Sequence, residues 1–376
     1  MTIAAPAYGL VGGRARVRLW IQIGFWVATA AVLLLLTGVQ FGPAATISIL
    51  AITITKATPI TLGALAGICC ERSGVVNIGI EGMMLASAFT GWYVASLVGQ
   101  AVQADPSFLF GATPAIVIGL LAALLTGLLF SAVHAWLSIS VRADQIISGT
   151  IINIVAFGVT GYLNILISKH SPPTGGKFVP FAPPEALVDI PVIGWIFRMF
   201  LQQGPITMSV IVLAIVLQIL LLRSRWGLRT RAVGEHPKAA ETVGIDVIRL
   251  RYRNVILGGL FAGLAGAWFT LDYGNSFQPG MTNGKGFIAL AALIFGRWHP
   301  IGAVAASLLF ASALSLGTAI RTTPPIGDLG SILGSIPEQV FAALPYVVTI
   351  VVLAGVVGRS VPPAAVGQPY KRESTA

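Results

Sequence analysis

The sequence predicts an all-α, polytopic membrane protein with about ten transmembrane helices (eight to ten), two inverted-topology repeats and broken helices. Three observations predict it. Only 10% of the 376 residues are charged, 56% are hydrophobic, and the mean hydropathy is +0.87. A soluble domain, whose surface must be wetted, carries roughly 25% charged residues. The apolar residues also gather in stretches of about 20, the length that crosses a bilayer. Finally, the cations between those stretches are distributed unevenly, as the positive-inside rule requires. Disordered, nucleic-acid-binding and ordinary cytosolic enzyme classes are thereby excluded. The net charge of +10 reads as basic loops facing anionic membrane lipid, with no nucleic-acid partner.

Spans are expected at 19–41, 45–69, 77–99, 112–139, 145–167, 206–222, 254–272, 286–296, 300–320 and 338–358. The first follows Arg14, Arg16 and Arg18. Its apolar core is too long for a cleaved signal peptide and fits a retained signal anchor. The eighth is too short to cross alone unless the membrane thins or it packs inside protein.

With the N-terminus in the cytoplasm, the inside collects Arg14, Arg16, Arg18, Arg72, Arg142, eight cations from Arg223 to Arg253, Arg297, Arg359, Lys371 and Arg372. The outside receives only Lys169, Lys177, Arg198, Lys285 and Arg321. Both termini are therefore expected in the cytoplasm of a cell-membrane protein.

The domain plan has three parts: an N-terminal region with the first helix (1–44), a membrane domain (45–358) and a tail (359–376). Within the membrane domain, blocks 45–167 and 254–358 begin on opposite sides, the arrangement of an inverted repeat. Each block's second segment is interrupted by glycine, NIGIEGMM at 77–84 and GKGFIALAALIFG at 284–296. The Pro- and Gly-rich stretch 168–204 is expected outside, ordered, with a short surface helix near 191–201.

The largest cytoplasmic loop, 223–253, contains a short helical signal, His236-Pro237 followed by KAAETV (238–243). Pro237 suits a first helical turn, where no N–H partner is lost. Gly244 suits the C-terminal cap. Ala239, Ala240 and Val243 offer a small apolar face that fits a groove. A basic loop lying on headgroups explains the arginines but not the capped helix between them.

Three ionisable groups lie well inside predicted spans: Lys56, Glu81 and His134. Charge there is costly and marks function by default. Two roles are open to Lys56 and Glu81: a salt bridge locking neighbouring helices, or polar groups on a hydrophilic path. His134 sits near a span end and is read as interfacial. Asn77, Asn153, Asn164 and Gln145 either meet a polar solute or tie helices together. Gly63/Gly67 and Gly259/Gly263 read as packing faces. Trp92, Tyr93, Trp195, Trp226 and Trp298 read as interface anchors.

The chain has no G-x-x-x-x-G-K-[ST], H-E-x-x-H or G-x-S-x-G motif. Neighbouring Cys69 and Cys70 offer neither a disulfide framework nor a metal set. No catalytic residue, metal or cofactor is assigned to this chain.

Four segments carry a resemblance: ERSGVVNIGIEGMMLASAF (71–89), RADQIISGTIIN (142–153), RAVGEHPKAAETVGI (231–245) and GKGFIALAALIFGRWHPIGAV (284–304). Together they resemble permease subunits of ABC importers for nucleosides and simple sugars, in the branched-chain amino acid/ribose-type permease family. The resemblance spans about 45–357. It implies a non-enzymatic subunit that forms the solute path with a second, similar or identical permease. A separate ATPase that binds ATP would drive it, and an extracytoplasmic solute-binding lipoprotein would supply it. Gly234, Glu235, His236, Pro237, Ala239, Ala240, Gly244 and Ile245 would match the coupling helix seated in the ATPase, with His236 where the family often has Asn. Asn77 and Glu81 would lie near the path, to which the bottom-up reading adds Lys56 and Asn153. The loops 168–204 and 273–285 would dock the receptor. The rival reading is an ion-coupled secondary transporter with Glu81 as coupling carboxylate.

Overall fold

The computed structural model describes residues 46–101, 109–168, 176–188, 193–322, 335–351 and 360–371, with Ile190 and Ile332 in addition. The expected first span, 19–41, lies outside these residues. Among the described residues the structure is helical and seven helices are long and apolar enough to cross a membrane. They are α1 (Thr46–Glu71), α2 (Ile80–Ala101), α3 (Pro114–Ala135, continuing as a π-helical turn over Trp136–Val141), α4 (Gln145–Ser168), α7 (Pro205–Arg223), α10 (Val247–Ala267, with a π-helical turn over Trp268–Tyr273) and α12 (Pro300–Thr322). Shorter helices are α5 (Glu185–Val188), α6 (Ile193–Leu201), α8 (Arg225–Glu235), α9 (Pro237–Thr242), α11 (Lys285–Phe295) and α13 (Glu338–Val351). The expected spans from the second to the ninth all coincide with helices, and the tenth does so over its described part.

α1, α2 and α10 form the centre, α3 packs on α2 and α10, and small residues let the backbones meet. A Cβ added to Gly127 would lie 2.3 Å from the Gly259 carbonyl oxygen, and one on Gly259 would lie 2.4 Å from the Gly127 carbonyl oxygen. Gly63 meets Ala289 and Gly67 meets Leu293, both on α11. The two expected packing faces are therefore used as such. Lipid tails give apolar side chains no preference for one helix over another, so close backbone contact has to hold a membrane bundle together. α4 is the outlying helix: Ile147, Ile154, Phe157 and Tyr162 are all exposed, as an apolar surface facing lipid or another subunit must be.

The bundle has two ends. The basal end gathers the turns after α1, α3 and α11, helices α8 and α9, and the tail, as Arg72 donating to the Trp298 carbonyl (2.9 Å) and Ala365 N–H donating to the Gly234 carbonyl (2.9 Å) attest. At the distal end, Phe178 N–H donates to the Leu271 carbonyl (2.7 Å) and Val179 N–H to the Phe110 carbonyl (2.8 Å). The surface helix expected near 191–201 is α6, with Trp195 and Phe200 exposed along it. Trp92 and Trp298 are not interface anchors: they are 2% and 5% exposed, and Trp298 donates its indole N–H to Glu71 (2.6 Å).

Candidate functional site: a junction of broken helices and a basal platform

Four orphan N–H groups open every helix, and in hydrocarbon no water satisfies them. At the basal end the helices cap themselves. Ser224 accepts from Gly227 N–H at the start of α8 (3.0 Å), Asp246 from Arg249 N–H at α10 (3.0 Å), and Asp144 from Ile146 N–H at α4 (2.8 Å). Two helices that begin inside the bundle instead receive a carboxylate from another helix. Glu81 of α2 accepts from Gly284 N–H (2.7 Å) and Gly286 N–H (2.5 Å), capping α11. Asp272, at the end of α10, accepts from Thr207 N–H (3.1 Å), Thr207 hydroxyl (2.9 Å) and Ile206 N–H (3.4 Å), capping α7. An anion at a helix N-terminus is favoured by the unsatisfied donors and by the helix dipole.

The segment before α2 is unwound and held from both sides. Val76 N–H donates to Gln145 (2.7 Å), and Asn153 accepts from Gly82 N–H (2.7 Å) while donating to the Ile78 carbonyl (3.0 Å). Asn77, fully buried, accepts from Gly79 N–H (3.0 Å) and points its amide nitrogen at the sulfurs of Cys70 and Met83. His134 is also fully buried rather than interfacial, within reach of the Val76 carbonyl (2.9 Å) and the Ser148 hydroxyl (3.0 Å). A carbonyl only accepts, so the ring nitrogen facing Val76 carries the proton, and the other accepts from Ser148.

Of the four residues expected on the path, Glu81 and Asn153 therefore meet at the junction where α2 opens. Lys56 approaches from α1, its ammonium donating to Thr318 and to the Leu314 carbonyl (3.2 Å). Lys285 is half-buried at the start of α11, donating to the Thr282 carbonyl (3.3 Å) with its ammonium 5.4 Å from the Phe269 ring centre. It stands at this junction, where the 273–285 loop enters α11. Sequence reasoning passed over Asp272 and Lys285 because each sits at the margin of an apolar run; an acid directly before Tyr-Gly at a span end was the available signal.

At the basal platform, α9 has the caps the sequence predicted. Pro237 is its first residue, and Gly244 adopts φ +81, a left-handed conformation open to glycine at little cost. Gly244 N–H donates to the Glu241 carbonyl (2.9 Å) and Ile245 N–H to the Ala240 carbonyl (3.1 Å). The expected apolar face is divided. Ala240 is 3% exposed and packs inward with Val233, Val247 and Tyr370, whereas Val243 is 76% exposed and Ala239 is exposed beside it. Gly234 is buried against the Arg72 carbonyl, a Cβ there falling 2.3 Å from that oxygen. Glu235 and His236 are exposed, and Ile245 is half-buried.

Behind α9, Arg72 donates to the carbonyls of Trp298 and Arg297, two residues in the left-handed region (φ +56 and +53). Burial pushes the Arg72 guanidinium down from its ordinary value, with Glu235 opposing that shift and Arg231 adding to it. Burial, then the charges of Arg72, Arg231 and Arg297, push His299 down as well. The His299 imidazole thus sits among guanidinium groups that disfavour its protonation.

The membrane helices and this platform match a known family model, described as a branched-chain amino acid transport system permease component, over residues 48–353. The chain belongs to this permease family. It is 41% identical to the guanosine ABC transporter permease protein NupQ of Bacillus subtilis over 85% of this chain and 94% of that one. To the nucleoside ABC transporter permease protein NupC of Lactococcus lactis it is 36% identical, over 86% of this chain and 96% of that one. Against the putative glucose ABC transporter permease protein TsgC13 of Haloferax volcanii the identity is 34%, over 85% and 96%. No solved structure matches the chain. As an ABC transporter permease component it is a multi-pass membrane protein and not itself an enzyme, since ATP hydrolysis resides in a separate ATPase subunit. The family model stops before the tail.

Proposed function

We propose that this permease imports a purine nucleoside of the guanosine type through a path it forms with a second permease. The relatives named for guanosine and nucleosides support that solute class over the glucose of a more distant relative. Bacillus subtilis has a second guanosine ABC transporter permease protein, NupP, to which this chain is only 25% identical. That difference favours a non-identical second permease. An extracytoplasmic solute-binding lipoprotein delivers the solute to the distal loops 168–204 and 273–285.

The observation that carries the motor assignment is α9: a short, doubly capped helix at the basal end, with Val243 and Ala239 facing outward. It seats in a groove of a cytoplasmic ABC ATPase, which binds the ATP; this chain holds no cofactor. Glu235, His236, Pro237 and Ile245 border the contact, while Gly234, Ala240 and Gly244 set the helix in place. The basal end is then cytoplasmic, as are both termini, and its arginines face anionic lipid of the cell membrane.

In this reading the chain has ten spans, and α1–α4 and α10–α13 are inverted repeats. The pairing of the N-termini of α2 and α11 through Glu81 supports it, because those helices are counterparts in the two blocks. Lys56 and Glu81 line the path, and Asn77 and Asn153 hold the unwound segment beside it.

The test is uptake of radiolabelled guanosine by proteoliposomes containing the permease, its ATPase, its partner permease and its receptor. Uptake should require ATP and should be competed by unlabelled nucleosides but not by glucose. Uptake by this chain alone under an ion gradient would establish the secondary-transporter reading instead.

A further inference from the structure

We infer that the C-terminal tail is a strap that holds α9 in its working position, and that Tyr370 is the positioning residue anchoring it. The inference rests on the reading of α9 as the ATPase seat, and it concerns a segment beyond the family-matched region.

The tail touches α8, α9, α10, the end of α11 and the turn after α1. Ser360 hydroxyl donates to the Ile294 carbonyl at the end of α11 (3.0 Å). Ala364 N–H donates to Glu235 (3.2 Å) and Ala365 N–H to the Gly234 carbonyl (2.9 Å), both on α8. Gly367 N–H donates to the Gly74 carbonyl in the turn after α1 (3.2 Å). The chain then reaches Tyr370, whose hydroxyl bonds the Glu241 carboxylate on α9. The Tyr370 ring is 7% exposed and packs with Ala240 of α9, Val233 of α8 and Val247 of α10.

Beneath the tail lies a buried arginine of α10. Arg251 is 2% exposed, donates to the Gln368 carbonyl (3.0 Å), and has its guanidinium carbon 5.9 Å from the Tyr370 ring centre. The Gln368 carbonyl and the Tyr370 ring are the contacts the tail gives this guanidinium, and they tie the tail to α10. Six residues form too short a helix to persist alone. Tyr370 touches α9 at both Ala240 and Glu241. A strap that ties α9 to α8, α10 and the end of α11 lets movement of the seat reach α11, whose other end Glu81 holds.

The experiment uses the assembled transporter in proteoliposomes, with radiolabelled guanosine as the probe and hydrogen exchange of residues 237–245 as a second readout. Tyr370→Ala should leave subunit composition and ATP turnover in place, speed exchange in α9 about tenfold, and lower guanosine imported per ATP about fivefold. Tyr370→Phe, which keeps the ring, should restore most of that ratio. If Tyr370→Ala impairs assembly, Ala365→Pro, which removes the N–H bound to Gly234, carries the same expectation. Wild-type exchange and a wild-type ratio in the variant that assembles would overturn the strap. Ala239→Arg separates the two readings: an ATPase retained at wild-type level there refutes the seat, while exchange in the Tyr370 variant still decides the strap.

Discussion

The Glu81 carboxylate lies 2.5 Å from the backbone nitrogen of Gly286, so the first turn of α2 caps the first turn of α11. A Cβ on Gly286 would sit 2.7 Å from the Glu81 Cα, so the two backbones meet where their helices start. This bond joins α2 to α11 at the starts of both helices, where backbone N–H groups have no partner within their own helix.

Glu81→Gln keeps one acceptor oxygen but turns an amide N–H₂ toward backbone donors. It should cost about 1–2 kcal/mol of stability, and guanosine uptake should fall. Glu81→Ala should cost more. Thermal unfolding in detergent beside uptake checks both; a Gln variant as stable and active as wild type would remove the cap from the account.

Asp272→Asn should weaken the start of α7 in the same way, by about 1–2 kcal/mol. Its effect should fall on stability and spare ATPase binding, since Asp272 is at the distal end. Co-purification of the ATPase with the variant provides the check.

Gly259→Val should prevent folding or lower yield severely, because Gly127 and Ser131 leave no room for side-chain atoms. A loss of about 3 kcal/mol or more is expected for such an overpacked contact. By contrast, Gly158→Ala on α4 should be well tolerated, because nothing lies within 4 Å of its added Cβ. Fluorescence size-exclusion profiles of the two variants should diverge.

Ala239 and Ala240 are neighbours with opposite surroundings, so the same substitution should separate two effects. Ala240→Arg forces charge among Val233, Val247 and Tyr370 and should destabilise the basal platform by about 2–4 kcal/mol. Ala239→Arg should leave the fold intact and abolish ATPase binding. Thermal unfolding and ATPase co-purification, measured on both, should give opposite patterns.

The spans were legible because hydropathy and length are properties of the chain alone, and so were the caps of α9, since Pro237 and Gly244 act locally. Partnerships were not. Glu81 stood out as a charge in a span, but nothing near it in sequence points to Gly284 and Gly286, about 200 residues away. Asn77 carried the same polar signal as Asn153, yet its polar atoms are consumed by its own turn. Trp92 and Trp298 looked like interface anchors because position along a span does not reveal which side faces protein. The division of Ala239 from Ala240 depends on where Tyr370 lands. The tail itself, short and rich in proline, has no periodicity to announce that it folds back.

The most direct measurement is photo-crosslinking from position 243 in intact membranes, with the same probe at position 154 on α4 as the contrast. The account predicts that the probe at 243 captures an ABC ATPase and that the probe at 154 captures lipid or a second permease. Capture of the ATPase from 154, or none from 243 in a transport-competent complex, would contradict it.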